Sequence, residues 1–110
     1  MPCPPLDAAH VIVTEPRAGQ QVRSPMEVRG CSRTFESNVQ LRLMARDGSQ
    51  LAAGFAMGGG VDGAGPFRFD VEFVVRESQL GHLEVYEEDV SDGEGFPPSR
   101  TVLPLRLMAD

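Results

Sequence analysis

The feature that most constrains this chain is the run Phe67-Arg68-Phe69-Asp70-Val71-Glu72-Phe73-Val74-Val75. Phe67, Phe69, Val71, Phe73 and Val75 fall on one face and Arg68, Asp70 and Glu72 on the other. That is a period of two, which an α-helix would scatter around its circumference. Such a run needs a half-buried strand in an antiparallel sheet with one wet face. The same alternation sets Met26, Val28 and Gly30 against Glu27 and Arg29, and Val39, Leu41 and Leu43 against Gln40 and Arg42. Shorter candidates are Val11 to Thr14, Leu51 to Met57, Leu83 to Glu87 and Thr101 to Leu107, which brings the count to about seven strands. Seven short strands predict an all-β sandwich. Its expected core contains Val13, Val28, Leu41, Phe69, Val71, Phe73, Val85 and Leu105.

The connections agree, because Glu15-Pro16-Arg17-Ala18-Gly19, Asp47-Gly48, Gly58 to Pro66, Ser91-Asp92-Gly93 and Pro97-Pro98 all favour turns. Asp47-Gly48 is the strongest hairpin signal, since both residues tolerate positive φ. No window of helical spacing carries a cap, so no α-helix is expected. Pro104 lies within the last strand and lacks a ladder donor, which predicts a sheet edge there. With 110 residues, 41% of them hydrophobic, the chain is sized for one domain with a single core. Residues 1–9 hold three prolines and little periodicity. They read as a tail leading into a domain at 10–110.

Several function classes are disfavoured. A net charge of -6, with acids densest from Glu84 to Glu94, opposes a nucleic-acid role. All ten basic residues are arginines, so neither a P-loop lysine nor a Schiff base is available. Gly58 to Gly63 satisfies G-x-G-x-x-G, but Ala64-Gly65-Pro66 and a strand follow where a dinucleotide site needs a helix. A flexible inter-strand loop is the reading of choice. The acidic segment after Glu87 and Glu88, with Asp89, Asp92 and Glu94, lacks EF-hand spacing and reads as a solvated turn, so no metal or cofactor is expected. His10 and His82 are the only histidines. Neither lies in a nucleophile motif, His82 opens a strand beside Gly81, and no catalytic residue is expected. Glu36, beside Phe35, reads as an acceptor for backbone donors left unpaired at a strand crossing.

Two cysteines, Cys3 and Cys31, cannot form a structural zinc site and give no CxxC motif. Parity puts Cys31 on the outer face with Glu27 and Arg29, within reach of the tail. Free thiols and one Cys3–Cys31 disulfide both stay open, the latter needing a Cα separation of about 4.4–6.8 Å. Before His10 there is no basic and apolar leader pattern, so any leader is expected to be absent from this sequence. No stretch reaches the ~20 apolar residues of a transmembrane helix.

From Val11 to Leu107 the chain resembles the bacterial immunoglobulin-like domain associated with spore germination proteins, Gmad2. The resemblance rests on Glu15-Pro16 with Gly19 and Val22, on Ser24-Pro25-Met26-Glu27-Val28-Arg29-Gly30, and on Phe35-Glu36. It continues through Asp47-Gly48, Phe67, Leu83-Glu84-Val85-Tyr86-Glu87-Glu88 with Asp92-Gly93, and Val102-Leu103-Pro104-Leu105. Cys31-Ser32 and the glycine-rich insertion before Phe67 depart from the family pattern. The resemblance implies an immunoglobulin-like sandwich in an extracytoplasmic envelope protein, with no catalytic residues. The expected function is a non-catalytic binding or spacer module acting through protein-protein contacts, with Glu88, Asp89, Asp92 and the last strand around Pro104 as candidate contacts. The alternatives are a small hydrolase, which needs His10 or His82 in a pocket, and a calcium-dependent carbohydrate-binding module, which needs exposed aromatics. One tyrosine and no tryptophan make a poor sugar platform.

Overall fold

The structure, a computed structural model, describes residues 3, 10–34, 38–60, 63–87 and 100–109. Its strands are β1 (His10–Glu15), β2 (Gln21–Val22), β3 (Met26–Arg33), β4 (Asn38–Met44), β5 (Gln50–Met57), β6 (Gly65–Val71), β7 (Gln79–Glu87) and β8 (Arg100–Leu107). They form a three-stranded sheet, β1-β3-β6, facing a five-stranded sheet, β2-β8-β7-β4-β5. All pairings are antiparallel except β2 with β8. None of the described residues forms a helix long and apolar enough to cross a membrane.

The alternation read from the sequence builds the core directly. Val28, Phe67, Phe69 and Val71 of one sheet pack toward Val39, Leu41, Leu43, Leu83, Val85 and Leu105 of the other, all buried. Val13 is only partly buried against this cluster, because Val11 takes the deeper position on β1. The ladder of β6 stops at Val71, yet the inward period continues to buried Phe73, whose N–H donates to Ser24 Oγ at 3.0 Å. The Asp47-Gly48 hairpin joins β4 to β5 as expected: Gly48 has φ 89° and Ala45 N–H donates to Ser49 O at 2.8 Å. Both the hydroxyl and the N–H of Ser49 donate to Asp47, holding its carboxyl below the usual aspartate value.

Three expectations change. The described residues form eight strands, because β2 has two residues and no alternation long enough to read. The last strand is not simply an edge, since β8 lies between β7 and β2, with Gln21 and Val22 paired to Arg106 and Leu107. Pro104 fits because its carbonyl accepts from Gly19 N–H at 2.7 Å. Its missing donor points to that same side, away from β7, so the β7–β8 ladder loses nothing.

The described glycines of the connection before Phe67 are also not in a loose loop. Gly59 and Gly60 are buried, Gly59 bridges to Arg33, and Thr34 N–H donates to Gly59 O at 3.1 Å. A Cβ on Gly59 would come closer to Gly65 N, Ser32 O and Gly63 O than real Cβ atoms approach, and all three are backbone atoms. Gly59→Ala is therefore expected to destabilise the domain by about 1–3 kcal/mol, as overpacking does. Chemical denaturation checks this, with exposed Ala53→Gly giving a much smaller change.

Candidate interaction surface

The outward residues of the five-stranded sheet form rows across β5, β4, β7 and β8. One row is Ala53, Arg42, Glu84, Val102, and the next is Phe55, Gln40, Tyr86, Arg100. Arg42 Nη2 donates to both Glu84 carboxylate oxygens at 3.0 Å, and Arg42 Cζ lies 5.5 Å from the Tyr86 ring centroid. Arg100 Nη1 stands 3.9 Å from Glu84 Oε1. Neighbouring rows bury Glu84 on this outer face, leaving its side chain 11% exposed, and two guanidiniums offset the cost of desolvating it. The Arg42–Glu84 pair is fringed by solvent-exposed apolar side chains: Phe55 at 68%, Met57 at 63% and Val102 at 48%.

The opposite face of the molecule is different in kind. On β3 and β6, Glu27 pairs with Arg29 and with Arg68 at 2.9 Å, and Arg68 reaches Asp70 at 3.3 Å. These pairs are solvated. On the same face Cys31 lies in a row with Ile12 and Pro66 and is buried, bonded to Cys3 with a Cα separation of 5.6 Å. The disulfide reading is the one the structure takes.

Of the residues singled out in the sequence, Glu88, Asp89 and Asp92 lie outside the described residues, as do Phe35, Glu36 and Asp62. Of the acidic segment only Glu87 is described, half-buried at the end of β7. His82 is the fourth residue of its strand, not the first, and is exposed between Met44 and Pro104. Two open grooves of about 590 and 630 Å³ lie near Pro16 and near Leu51. Neither is lined by His10 or His82. Among the described residues no group of three His, Cys, Asp or Glu is placed to hold a metal ion.

The outward placement of Phe55 and Met57 was not foreseen. Along β5 the inward positions are Ala52, Gly54 and Ala56, with Leu51 packing against the core at the bulge, while Phe55 and Met57 point to solvent. The only sequence signal is a period of two in size, small against large, and hydrophobicity alone assigns its faces the wrong way round.

The family model for the immunoglobulin-like domain of bacterial spore germination matches residues 10–94. The chain belongs to the Gmad2 family. The match covers β1 to β7, while β8 of this Gmad2 domain lies beyond it and still occupies the interior of the larger sheet. No curated protein matches the sequence. Among solved structures, the crystal structure of CopC from Methylosinus trichosporium OB3b is similar, with a TM-score of 0.57 and 15% identity. The similarity covers 93% of this chain and 95% of that one. At that identity the likeness shows the sandwich fold alone.

Proposed function

We propose that this Gmad2 domain is a non-catalytic, extracytoplasmic binding module of a bacterial cell-envelope protein, working through protein-protein contacts. The observation that carries the reading is the outer face of the five-stranded sheet, where exposed Val102 and half-buried Tyr86 flank the Arg42–Glu84–Arg100 cluster. Flat faces mixing an aromatic, an arginine and apolar area have the composition of protein contact surfaces. The acidic stretch containing Glu88, Asp89 and Asp92 lies in the sequence between β7 and β8, the two strands that carry most of this cluster, and gives the domain its densest negative charge. The Cys3–Cys31 disulfide supports an oxidising compartment. Immunoglobulin-like family membership supports a scaffold whose faces and loops make contacts.

The isolated domain is expected to be inert toward ester, peptide and glycoside substrates. Charge reversal at Glu88, Asp89 and Asp92 should weaken binding to its native envelope partner while leaving the thermal transition unchanged. Steady turnover that His82→Ala abolishes in a folded protein would overturn the reading in favour of a hydrolase.

A further inference from the structure

The four sheet edges of this domain are unequally protected. β6 carries Pro66, Arg68 and Asp70 along its length, β1 carries His10 and Glu15, and β2 is two residues long. Charge, proline and shortness are the usual devices that stop an edge from recruiting another strand. β5 has none of these three, its one irregularity being a bulge at Leu51, at the start of the run. From Leu51 to Met57 it runs Leu-Ala-Ala-Gly-Phe-Ala-Met, seven residues without a charge or a proline. It is hydrogen-bonded to β4 on one side, and no described residue pairs with the other. Its free side therefore presents a row of backbone donors and acceptors beside exposed Phe55 and Met57.

The order of side chains on β5 matches its own reverse. Antiparallel pairing of two copies about a two-fold axis at Gly54, the midpoint of the run, places Ala53 opposite Phe55 of the other copy, while Met57 reaches the end of the run, where β5 bulges at Leu51 and Leu51 packs toward the core. Ala52 falls opposite Ala56 on the inner face. The large Phe55 meets the small Ala53 on the outer face, no charges meet, and the regular stretch from Ala52 to Ala56 pairs throughout. A pairing centred on Phe55 or on Ala56 instead sets Phe55 against Phe55 or against Met57, two large side chains directly opposite each other on the outer face.

From this the geometry points to a second copy of this chain as the occupant of the β5 edge, joining two five-stranded sheets into one continuous ten-stranded sheet. The contact is isologous, so it closes at two. The protected β1 and β6 edges give no route to a longer polymer. An interface built on one seven-residue strand lies at the small end of specific contacts, which makes this a concentration-dependent dimer and not an obligate one. The inference is independent of the envelope partner, because it uses the β5 edge and not the β7–β8 region.

Sedimentation analysis of the full chain with its disulfide intact tests it. The wild type should shift from monomer to dimer across the micromolar to millimolar range and no further. The double substitution Ala53→Lys with Phe55→Lys sets like charges directly opposite each other twice in the dimer and should leave a folded monomer. The corresponding double substitution to glutamate should also be monomeric, and mixing the lysine and glutamate proteins should restore a dimer containing one of each. Val102→Lys, exposed on the same sheet face but on β8, should dimerise like the wild type. A wild type that stays monomeric throughout, a dimer that survives both double substitutions, or a mixture that fails to restore it would each overturn the proposal. A loss of dimer on Val102→Lys would move the interface off β5 and overturn it equally. Circular dichroism of each variant identifies misfolding, and rescue on mixing is a result that misfolded variants cannot give.

Discussion

Phe69→Ala is expected to remove about 3–5 kcal/mol of folding stability, a large part of the roughly 5–15 kcal/mol that a domain possesses. Phe69 is 7% exposed, pairs with Val28 across the β3–β6 ladder and meets Phe67 edge-on at 5.8 Å with an interplanar angle of 68°. A Cβ built on Gly54 would stand 3.9 Å from the Phe69 ring, so the ring packs against the inner face of β5. Around Gly54 that face holds Ala52 and Ala56, which have no rotamers with which to fill a void. The cavity should persist, and the cost should fall in the upper half of the range. Urea denaturation measures it directly, with Val102→Ala as a control expected to stay within about 0.5 kcal/mol because that side chain is 48% exposed. A loss below about 1 kcal/mol at Phe69 would contradict its place in the core.

The second large effect belongs to the disulfide. Cys3 and Cys31 are 28 residues apart in the sequence. Releasing a loop of that length returns chain entropy to the unfolded state worth about 3.5 kcal/mol in the loop-closure model. Cys3→Ser should lower the thermal midpoint on the order of 10–15 °C. The same drop should follow full reduction of the wild type, while the reduced wild type and the reduced variant should melt together. Two freely titrating thiols in the unreduced protein, or equal midpoints with and without reductant, would exclude the bond.

Much of the fold was legible because period-two patterning is a local property. Seven of the eight strands, the Asp47-Gly48 hairpin and nearly all of the expected core follow from which residues alternate and where turn residues interrupt them. β2 escaped because two residues carry no period; the parallel pairing with Arg106 and Leu107 defines it. The glycine run suggests a loop when taken alone, because glycine in isolation signals freedom. Here Gly59 serves instead to let two backbones touch.

The candidate surfaces were less legible, for a reason visible at three residues. Glu84 looks like any outward strand carboxylate, but Arg42 and Arg100 lie 42 and 16 positions away in the sequence, so its burial depends on the order β8-β7-β4. Cys31 is on the outer face that its parity predicts and is nonetheless buried, because a cysteine 28 residues earlier bonds to it. Phe55 is apolar and alternates correctly, and yet points to solvent, because Phe69 of the opposing sheet already occupies the space inside β5.

Local sequence is enough to establish that this chain makes strands, where they turn and which residues share a face, since backbone geometry links neighbouring residues in those respects without reference to the rest of the molecule. Only the tertiary structure decided which of two apolar faces on β5 turns inward, which strand is left as an open edge and which charges are drawn out of water. Those outcomes depend on volumes and partners contributed from distant parts of the chain, and no local pattern encodes them.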